Sequence, residues 1–593
     1  MIKYKLKDNP IETYSFNYLG DYLRSLGIEN PDSFIKQPRP EDEESFEKLE
    51  NIFELVDSLY EGFKNNKKFF LQVDSDTDGY TSSAIFYGFF KKLFPEAKIE
   101  WRLHEGKEHG IILDTIPIDA DYVVIPDAGS MQFDEQEQLS IKGYKVLIMD
   151  HHNLSTPPKL ENVIIVNNQL SPRFTNKNLS GAGVVYKVIQ AFCSRYKDEF
   201  PAIYPEFADL AALGIVSDMM DTRNLDNNFI INKGLKNIHN SMFRALLEKQ
   251  QYSIERSGGD IDAPNKINLA FYIAPLINAV IRFGTTEEKE ELFRGFITLD
   301  ASDIIETEYR GEIRRENYYD YIARVSGNIR ARQNREKEKS MNFLIDRIES
   351  NKLHENQLIV VTVSKDDEVV VPHTITGLVA MELLKKYKKP TLVLRPKSDG
   401  NGGLIYAGSG RGKANGDFDS LFGMLRKSDL CEYVEGHDMA HGVAVKAENM
   451  GKLIEYANET LKDIEFDVEE IEVDYIFNNA TINQEMIMQF GKVIDIYGNG
   501  IPQPKFAFKL NVAKSAINFI GKKQETMRIS LNGVDFLKFG ASDIYNEIQK
   551  NPSHLYELVM VGRAQVNEWN GRVTPQIMVD EAEIKAIGLG DLF

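Results

Sequence analysis

The sequence predicts an α/β protein with a parallel-sheet domain, a second α/β domain joined to it by a long helix, and a C-terminal β-barrel. Short apolar runs alternate with helix-like stretches in the first half, a charged segment without proline follows, and closely spaced strands occupy the last part. Alternating β and α segments are typical of parallel sheets covered by helices. A chain of 593 residues is long enough for two to four domains.

Changes in pattern along the chain divide it into six segments. We predict an N-terminal extension over residues 1–40, a first α/β domain over 41–305, a connector helix over 306–350, a second α/β domain over 351–465, a barrel of OB type over 466–585 and a C-terminal tail over 586–593. Strand-like runs such as FAFKLNV, MRISL and VDFLKFG support the barrel.

The first α/β domain carries four predicted strands. They are KFFLQVD, DYVVIPD, KVLIMD and NVIIVN, with SSAIFYGFFKKLF and QFDEQEQLSI as helices between them. A further helix is predicted within EDEESFEKLENIFELVDSLYEGF. Three of the four strands end in aspartate, and in an open α/β sheet the ligand crevice lies beyond the carboxyl ends of the strands. These aspartates are therefore expected to share one pocket.

Charge, cysteine content and hydropathy indicate which classes of protein and which cellular location fit the sequence. The net charge is −20 and the pI is near 5.1, which argues against coating nucleic acid through bulk positive charge but is compatible with a basic channel. Two cysteines without close spacing support neither a disulfide framework nor a thiolate zinc site. The N-terminus lacks the apolar segment of a signal peptide, and no long apolar run is evident, so a cytoplasmic protein without a membrane partner is expected.

The segment DSDTDG places Asp74, Asp76 and Asp78 at the end of a strand. Three carboxylates this close repel one another unless cations neutralise them. A calcium loop or a solvated turn is the alternative, but the longer acidic pattern of an EF-hand is missing. The arrangement favours a catalytic site for hard cations.

Three further motifs add candidate ligands. Asp127 follows a strand in VVIPDAGS, MDHHN contains Asp150, His151 and His152, and GIVSDMMD places Ser217 and Asp218 on a predicted helix. Imidazole beside carboxylate suits manganese, iron or zinc better than calcium. A single histidine could instead be a hydrogen-bonded core residue, and an isolated Ser-Asp pair is uninformative.

In this order, the DxDxDG segment, the strand-end aspartate, the DHH triplet and the helical SD resemble the signature of the DHH phosphoesterases, and of their RecJ branch in particular. The resemblance runs from about Lys67 onward and includes SGAGVVYKVI, IAPLINAVIRFG, GSGRG, EGHDMAHG and IYGNGIPQPKF. This sequence departs from the branch in three places. A single glycine precedes His437, Leu276 stands where arginine is common, and His109 stands where relatives often have tyrosine.

The resemblance implies a DHH catalytic domain that hydrolyses phosphodiesters with two Mn²⁺ or Mg²⁺ ions. It implies the metal ligands Asp74, Asp76, Asp127, His151 and Asp218, with Asp127 bridging the ions. It further implies that His152 contacts the scissile phosphate and that Asp78 and Asp150 orient the ligands. The catalytic residues by this comparison are Asp76, Asp127, His151, His152 and Asp218.

The branch consists of 5′→3′ exonucleases specific for single-stranded DNA, which implies a second grip on the terminal 5′ phosphate. The candidates for substrate binding are Arg102, Arg282, Ser409, Gly410, Arg411 and His437. Each arginine could equally form a surface or interdomain ion pair. The OB-type barrel would hold the strand by stacking, with Trp569 as a candidate platform or a core residue. The ending GLGDLF resembles peptides that dock on sliding clamps, although a frayed terminus is the simpler interpretation; single-strand-binding protein and helicase are further candidate partners.

Two other functions fit part of the pattern. A DHH phosphodiesterase could act on short RNA oligonucleotides or cyclic dinucleotides, but such enzymes are typically shorter and have no OB-type domain. A replication scaffold is the non-enzymatic alternative, but inactive relatives usually lose metal ligands, and every acidic motif position is present here.

Overall fold

The computed structural model describes residues 3–7, 16–36, 39–105, 108–256, 259–298, 304–309, 311–398, 403–412, 418, 420–438, 440–464, 466, 470–521, 525–569 and 571–587. The chain forms two compact units. The first unit contains Met1–Ile281, Thr285–Ser326 and Glu470–Phe593, and the second contains Arg282–Gly284 and Gly327–Glu469. The first α/β domain and the OB-type domain therefore belong to one unit.

The described parts of the predicted N-terminal extension pack against the OB-type domain. Its elements are β1 (Lys3–Leu6), α1 (Tyr18–Ser25) and α2 (Pro31–Ile35). Strand β1 pairs in parallel with a strand at Glu470–Val473. Tyr22, Leu23 and Phe34 are buried in the hydrophobic core of the OB-type domain. The sequence did not predict this packing, because the apolar residues that enter the core are few and widely spaced and prolines interrupt the pattern.

The first α/β domain follows in chain order. Its elements are α3 (Ile52–Lys64), β2 (Lys68–Val73), α4 (Thr77–Leu93), β3 (Lys98–Leu103), β4 (Tyr122–Pro126), α5 (Phe133–Ile141), β5 (Lys145–Asp150), β6 (Val163–Asn167), α6 (Gly181–Arg195), α7 (Ala208–Ser217), α8 (Leu225–Lys236), α9 (Ser241–Lys249), α10 (Gln251–Arg256), α11 (Lys266–Asn268), a π-helical turn (Leu269–Ile273), α12 (Ala274–Phe283) and α13 (Thr286–Ile297).

The sheet of this domain has five parallel strands in the order β3-β2-β4-β5-β6. All four predicted strands are present, and the edge strand β3 was not predicted from the sequence. Its sequence KIEWRL is half exposed, so it lacks the continuous apolar run that identified the buried strands.

Helix α3 begins later than its periodicity predicted. The acidic stretch before it forms two short 3₁₀ turns, Pro40–Asp42 and Phe46–Lys48. The Glu44 carboxylate accepts hydrogen bonds from the backbone N–H groups of Thr175 and Asn176, which ties this stretch to the loop before α6. This tertiary contact replaces the first turns of the expected helix.

Among the described residues, one stretch, Lys266–Phe283, is long and apolar enough to cross a membrane. Within the protein, 56% of it is buried, as is usual for a core helix. Leu269, Ile273, Leu276 and Ile277 are among its buried side chains.

The predicted connector helix is wrong at its start. A helix was expected from residue 306, but the chain first forms a hairpin of β7 (Ile304–Tyr309) and β8 (Glu312–Asn317), and helix α14 covers Tyr318–Ser350. Gly311 has a φ of +83° between the two strands, which favours a turn there. The 33-residue helix starts in the first unit and continues in the second.

The second unit contains an α/β domain with a mixed sheet. Its elements are β9 (Ile359–Thr362), α15 (Thr376–Tyr387), β10 (Thr391–Ser398), β11 (Leu404–Arg411), α16 (Leu421–Lys427), β12 (Cys431–His437), β13 (Ala440–Lys446) and α17 (Met450–Thr460). The strand order is β12-β13-β11-β10-β9, with β9 and β10 parallel and the other pairs antiparallel.

The OB-type domain completes the first unit. Its elements are β14 (Glu470–Val473), β15 (Tyr475–Asn478), α18 (Gln484–Gly491), β16 (Lys505–Ala513), β17 (Ile517–Ile520), β18 (Thr526–Leu531), β19 (Val534–Phe539), α19 (Ser542–Lys550), β20 (Leu555–Trp569) and β21 (Arg572–Ile587). Seven strands form one sheet in the order β15-β16-β20-β21-β19-β18-β17. The backbone N–H of Thr222 donates to Asn499 O at 2.9 Å, which links this domain to the loop after α7.

Candidate metal centre

Three strand ends bring carboxylates to one edge of the parallel sheet. Asp74 follows β2, Asp127 follows β4 and Asp150 is the last residue of β5. Because these strands are parallel neighbours, their carboxyl ends open into the same crevice. All three aspartates are buried. The sequence prediction that these residues share a pocket is confirmed.

His151 lies at the centre of the cluster. Its Nε2 atom is 3.2 Å from Asp127 Oδ1, 3.5 Å from Asp218 Oδ2 and 4.0 Å from Asp78 Oδ2. Burial lowers the pKa of His151 below its usual value, which favours the neutral imidazole. In the neutral tautomer with its proton on Nδ1, the Nε2 atom carries a lone pair suited to a metal ion.

Three overlapping groups of side chains could each hold a cation, with ligand atoms within 4.8 Å of one another. The groups are Asp74, Asp76 and Asp127; Asp78, His151 and Asp218; and Asp127, Asp150, His151 and His152. The five expected metal ligands all belong to them. Asp127 and His151 are each shared by two of these groups.

Asp127 shows most clearly that the negative charge of the cluster exceeds its positive charge. It has a left-handed backbone, with φ of +65°, and its buried Oδ1 atom has no hydrogen-bond partner. Burial raises its pKa well above the usual range, and the negative charges of Asp78, Asp76, Asp74 and Asp218 raise it further. A buried carboxylate oxygen without a donor is costly, and a cation would remove that cost.

Asp218 is subject to the same repulsion. It caps the C-terminus of α7, and burial, followed by the charges of Asp78 and Asp76, raises its pKa from 3.8 to about 8. Ordinary aspartates are ionised at neutral pH, so burial together with the negative charge of the cluster keeps this carboxyl protonated. The residues present therefore fit divalent cations, which prefer oxygen and imidazole ligands.

Asp78 and Asp150 organise the backbone around the ligands. Asp78 accepts hydrogen bonds from the N–H groups of Gly181 (2.7 Å) and Ala182 (3.1 Å) at the start of α6. Asp150 accepts from the N–H groups of His151 (2.7 Å), His152 (3.1 Å) and Ser130 (3.1 Å). Asp150 thus fixes the strand end that carries His151, and Asp78 fixes the start of α6 beside the cluster.

His152 is held beside the cluster and faces solvent. Its Nδ1 atom hydrogen-bonds Asp150 Oδ1 at 2.7 Å, and its side chain is 48% exposed. The hydrogen bond to Asp150 raises the pKa of His152 to about 9, although partial burial opposes this. An imidazolium in this position has Nε2–H available as a donor to an anion.

Two histidines that the motif comparison did not assign hold Asp74. The Nδ1 atoms of His104 and His109 each lie 2.9 Å from a different oxygen of this carboxylate. Burial opposes ionisation, but the hydrogen bonds from His104 and His109 lower the pKa of Asp74 to about 2. His104 directly follows β3, so recognising KIEWRL as a strand would have placed it at the same sheet edge as the aspartates.

Gly181 allows the start of α6 to approach the bridging aspartate. A Cβ atom on Gly181 would lie 2.4 Å from Asp127 Oδ1 and 2.5 Å from its Cβ. We therefore expect Gly181→Ala to displace Asp127 and weaken Mn²⁺ binding at least about tenfold, as changes that support metal ligands do. Isothermal titration calorimetry with Mn²⁺ measures this loss.

Gly451→Ala is the matched control, because nothing lies within 4 Å of a Cβ atom at that helical position. Wild-type Mn²⁺ affinity in Gly181→Ala would show that the close approach of α6 does not position Asp127.

The six predicted substrate-binding residues fall in different places. Arg102 forms an ion pair with Glu108 at 2.9 Å in the first unit, and such an ion pair was the alternative to substrate binding for this residue. Arg282, Ser409, Gly410 and Arg411 belong to the second unit. His437 ends β12, but its side chain lies outside the described residues, as do the Trp569 side chain and tail residues 588–593.

Within the second unit, Arg411 and Ser409 lie at the start of α15. A Cβ atom on Gly377 would be 2.4 Å from Arg411 Nη2, and Ser409 Oγ is 3.0 Å from Thr376 Oγ1. Burial, followed by the charge of Arg282, lowers the pKa of Arg411. Among the described side chains, no carboxylate forms an ion pair with Arg282 or Arg411. Two close guanidinium groups at a helix N-terminus form a surface suited to an anion.

Comparison with known proteins gives consistent matches. The model of the DHH family, N-terminal domain, matches residues 68–215, and that of the RecJ OB domain matches residues 473–581. The prophage-derived single-strand DNA-specific exonuclease YorK of Bacillus subtilis (strain 168) is 35% identical over 580 residues, which cover 96% of each chain. The single-stranded-DNA-specific exonuclease RecJ of the same organism is 24% identical over 571 residues, covering 92% of this chain and 65% of that protein.

A solved structure supports the fold. RecJ from Thermus thermophilus in complex with Mn²⁺ matches with a TM-score of 0.69 and 21% identity, covering 99% of this chain and 80% of that one. The predicted combination of a parallel-sheet α/β domain, a second α/β domain and an OB-type domain is thereby confirmed.

Proposed function

Since the chain belongs to the RecJ branch of the DHH superfamily, we propose that it is a metal-dependent exonuclease that hydrolyses single-stranded DNA from the 5′ end to mononucleotides. The observation that carries this proposal is the convergence of five aspartates and two histidines around a buried, unpartnered Asp127 Oδ1. The names of the relatives supply the substrate class.

Two divalent cations, Mn²⁺ or Mg²⁺, are the proposed cofactors. The ligands would be Asp74, Asp76, Asp127, His151 and Asp218. One solved structure of the Thermus protein is a complex with Mn²⁺ and another is a complex with Mg²⁺. When bound, such ions activate water and neutralise charge on the phosphate during in-line displacement. The backbone hydrogen bonds of Asp78 and Asp150 hold the ligands in place for this chemistry.

His152 is proposed to contact the scissile phosphate. Its hydrogen bond to Asp150 fixes the ring, and its raised pKa favours the protonated form. The Nε2–H group then donates to a phosphate oxygen and stabilises the charge that develops there. His151 stays neutral and acts as a ligand, so the adjacent histidines have different tasks.

The arginines of the second unit are proposed to bind the terminal 5′ phosphate. Arg411 offers a planar donor fork, Arg282 adds charge, and Ser409 and the backbone of Gly410 offer further polar contacts. A site that binds a phosphate only at the chain end explains attack from the 5′ terminus. His437 and Arg102 remain proposals for the same role.

We expect Arg411→Ala to raise KM for 5′-phosphorylated single strands about 10- to 100-fold, because a charge-assisted bidentate contact is lost. KM for 5′-hydroxyl strands should change little, so the preference for a 5′ phosphate disappears. Steady-state release of mononucleotides from matched 5′-phosphate and 5′-hydroxyl oligonucleotides measures both values.

Arg426→Ala removes a cation from the same domain, where the guanidinium lies over the Phe422 ring at 5.4 Å, and serves as the control. If Arg411→Ala kept the full 5′-phosphate preference, this residue would not be the terminal-phosphate ligand.

One assay separates the proposal from its alternatives. Single-stranded DNA, RNA, duplex DNA and cyclic dinucleotides are incubated with the protein and Mn²⁺, with Asp76→Ala as the inactive control. Release of mononucleotides from single-stranded DNA alone supports the proposal. Faster hydrolysis of short RNA or cyclic dinucleotides would favour the other DHH activity, and no hydrolysis by the wild-type protein would favour a scaffold.

A cytoplasmic location and binding to single-strand-binding protein, a helicase or a sliding clamp are further proposals. They rest on the sequence and on the branch to which the chain belongs.

A further inference from the structure

The proposed metal ligand Asp218 caps the C-terminus of α7, and the next residue, Met219, has a left-handed backbone with φ of +54°. The Met219 N–H donates to Val216 O at 3.2 Å. The Met220 N–H donates to Ile215 O at 3.1 Å. These two hydrogen bonds form a Schellman motif, in which glycine usually occupies the left-handed position. A methionine there has a conformational cost, so contacts from outside the helix are needed to hold the turn.

A tight turn of the OB-type domain, residues 498–501 and here called the OB turn, supplies such contacts. Two backbone hydrogen bonds join its first and last residues. At its tip, the side-chain amide of Asn499 donates to Met219 O. The Asn499 carbonyl oxygen accepts from the backbone N–H of Thr222 at 2.9 Å and from the Thr222 hydroxyl at 2.8 Å. One residue of the OB turn therefore holds the loop after α7 at two points.

The OB turn and the loop after α7 are closely packed, and both belong to the first compact unit. Thr222 is 2% exposed. A Cβ atom on Gly500, whose φ is +81°, would lie 2.1 Å from Asp221 Oδ1. A Cβ atom on Gly498 would lie 3.0 Å from Thr222 Oγ1. Glycine at both positions permits this approach, and a side chain at position 500 would push the loop away.

The chain that follows the loop is attached to the same domain. Arg223 Nη1 donates to Leu26 O at 3.1 Å, at the end of α1, and Leu225 packs against the hydrophobic core of the OB-type domain. From the catalytic domain, the Asn227 amide donates to Asp221 O at 3.0 Å. The position of the loop is therefore set jointly by the two domains.

Asp218 depends on this loop more than the other ligands do. Asp74 and Asp127 follow strands of the central sheet, whereas Asp218 stands between a helix end and the loop. Its side chain is 31% exposed, against 3% for that of Asp127. Because peptide groups are planar, only the two backbone torsions of Met219 separate the peptide after Asp218 from the peptide that Asn499 holds. Metal ligands must be placed to within about 0.5 Å, so a shift of this loop disturbs the site.

We infer that the OB turn positions Asp218 for metal binding, with Asn499 and Thr222 as positioning residues. The inference rests on the proposed function, because it concerns the metal centre of the same reaction. The contact is separate from any contact with the substrate strand. Its loss weakens the binding of the cation that Asp218 holds and leaves the folded structure of both domains intact.

Removing the two side-chain hydrogen bonds tests the inference. Asn499→Ala and Thr222→Val are combined, which leaves the backbone hydrogen bond between these two residues in place. We expect the double variant to bind one of two Mn²⁺ ions about tenfold more weakly in isothermal titration calorimetry, the effect typical of losing groups that support metal ligands. Asn479→Ala is the control, because its amide donates to Asn511 O at 2.9 Å elsewhere in the OB-type domain.

Gly500→Ala tests the same contact in the opposite way, by pushing on the loop instead of releasing it. The new Cβ atom meets the Asp221 carboxylate, so the same Mn²⁺ ion should bind more weakly. Gly571→Ala is the matched control for backbone strain, because Gly571 has a φ of +73° and nothing lies within 4 Å of a Cβ atom there. This control should bind both ions as the wild-type protein does.

Two further readouts distinguish positioning from a general structural role. In EDTA, amide hydrogen exchange at residues 218–222 should be faster in the double variant, while β16 and β20 keep their protection. At saturating Mn²⁺, KM for a single strand of about twenty nucleotides should match the wild-type value, since the defect lies in metal binding.

Unchanged Mn²⁺ affinity in the double variant or in Gly500→Ala overturns the inference. So does a loss of exchange protection throughout the OB-type domain, or a raised KM at saturating Mn²⁺. A wild-type protein that binds no Mn²⁺, or binds it and hydrolyses no single-stranded DNA, would instead overturn the proposed function.

Discussion

Asp127→Asn is expected to abolish hydrolysis of single-stranded DNA and, at the same time, to raise the melting temperature of the metal-free protein. The carboxylate is the shared member of two cation-holding groups, so its loss should lower kcat by at least about a thousandfold. The amide carries no charge, and its substitution removes repulsion with Asp78, Asp76, Asp74 and Asp218. We expect a gain of about 1 kcal/mol in the free energy of unfolding, since functional sites often reduce stability.

Two measurements check this prediction, mononucleotide release in Mn²⁺ and thermal unfolding in EDTA. Saturating Mn²⁺ should stabilise the wild-type protein by roughly 3 kcal/mol at a hundred times its dissociation constant, and should stabilise Asp127→Asn much less. Asp121→Asn is the matched control, because that carboxylate is partly exposed and pairs with Lys67 at 2.8 Å. An active Asp127→Asn enzyme would remove this residue from the metal centre.

Raising the pH from 7 to 9 is expected to destabilise the metal-free protein and to strengthen the stabilisation by Mn²⁺. The pKa of Asp218 is about 8 in the folded protein and 3.8 when unperturbed. A carboxyl whose folded pKa is raised stabilises the folded state below its unfolded pKa, and this contribution is lost as pH rises through the folded value. The raised pKa of His152, about 9 against 6.5, acts in the same direction over this window.

The effect of Asp218 alone is about 0.7 kcal/mol per pH unit near pH 8, because the folded state holds about half a proton more there than the unfolded chain. Divalent cations displace that proton, so metal affinity should rise with pH. Thermal unfolding at pH 7, 8 and 9, in EDTA and in Mn²⁺, measures both trends. Asp218→Asn should flatten the curve in EDTA. A melting temperature in EDTA that rises with pH in the wild-type protein would contradict the repulsive cluster.

The catalytic sheet could be predicted from sequence because its central strands are buried on both faces. Continuous apolar runs identified β2, β4, β5 and β6, and the aspartates at three of their ends followed from parallel topology. The same rule placed Asp74, Asp127 and Asp150 together. Asp218 could be assigned only through the motif comparison, because a helix C-terminus gives no comparable local signal.

Other features depend on contacts that local patterns do not encode. The edge strand β3 is half exposed, so it and His104 were missed. The hairpin before α14 was masked by charged residues that are common in helices, and the docking of α1 and α2 depends on an OB-type core more than four hundred residues away.

Diffraction from crystals soaked in Mn²⁺, with anomalous differences recorded at the manganese absorption edge, shows whether the strand ends bind a pair of cations. We expect two peaks about 3.5–4 Å apart, with Asp127 beside both ions and His151 and Asp218 each beside one. No peak at the carboxyl ends of β2, β4 and β5, or ions bound only at other acidic surfaces, would show that these residues do not form a metal centre.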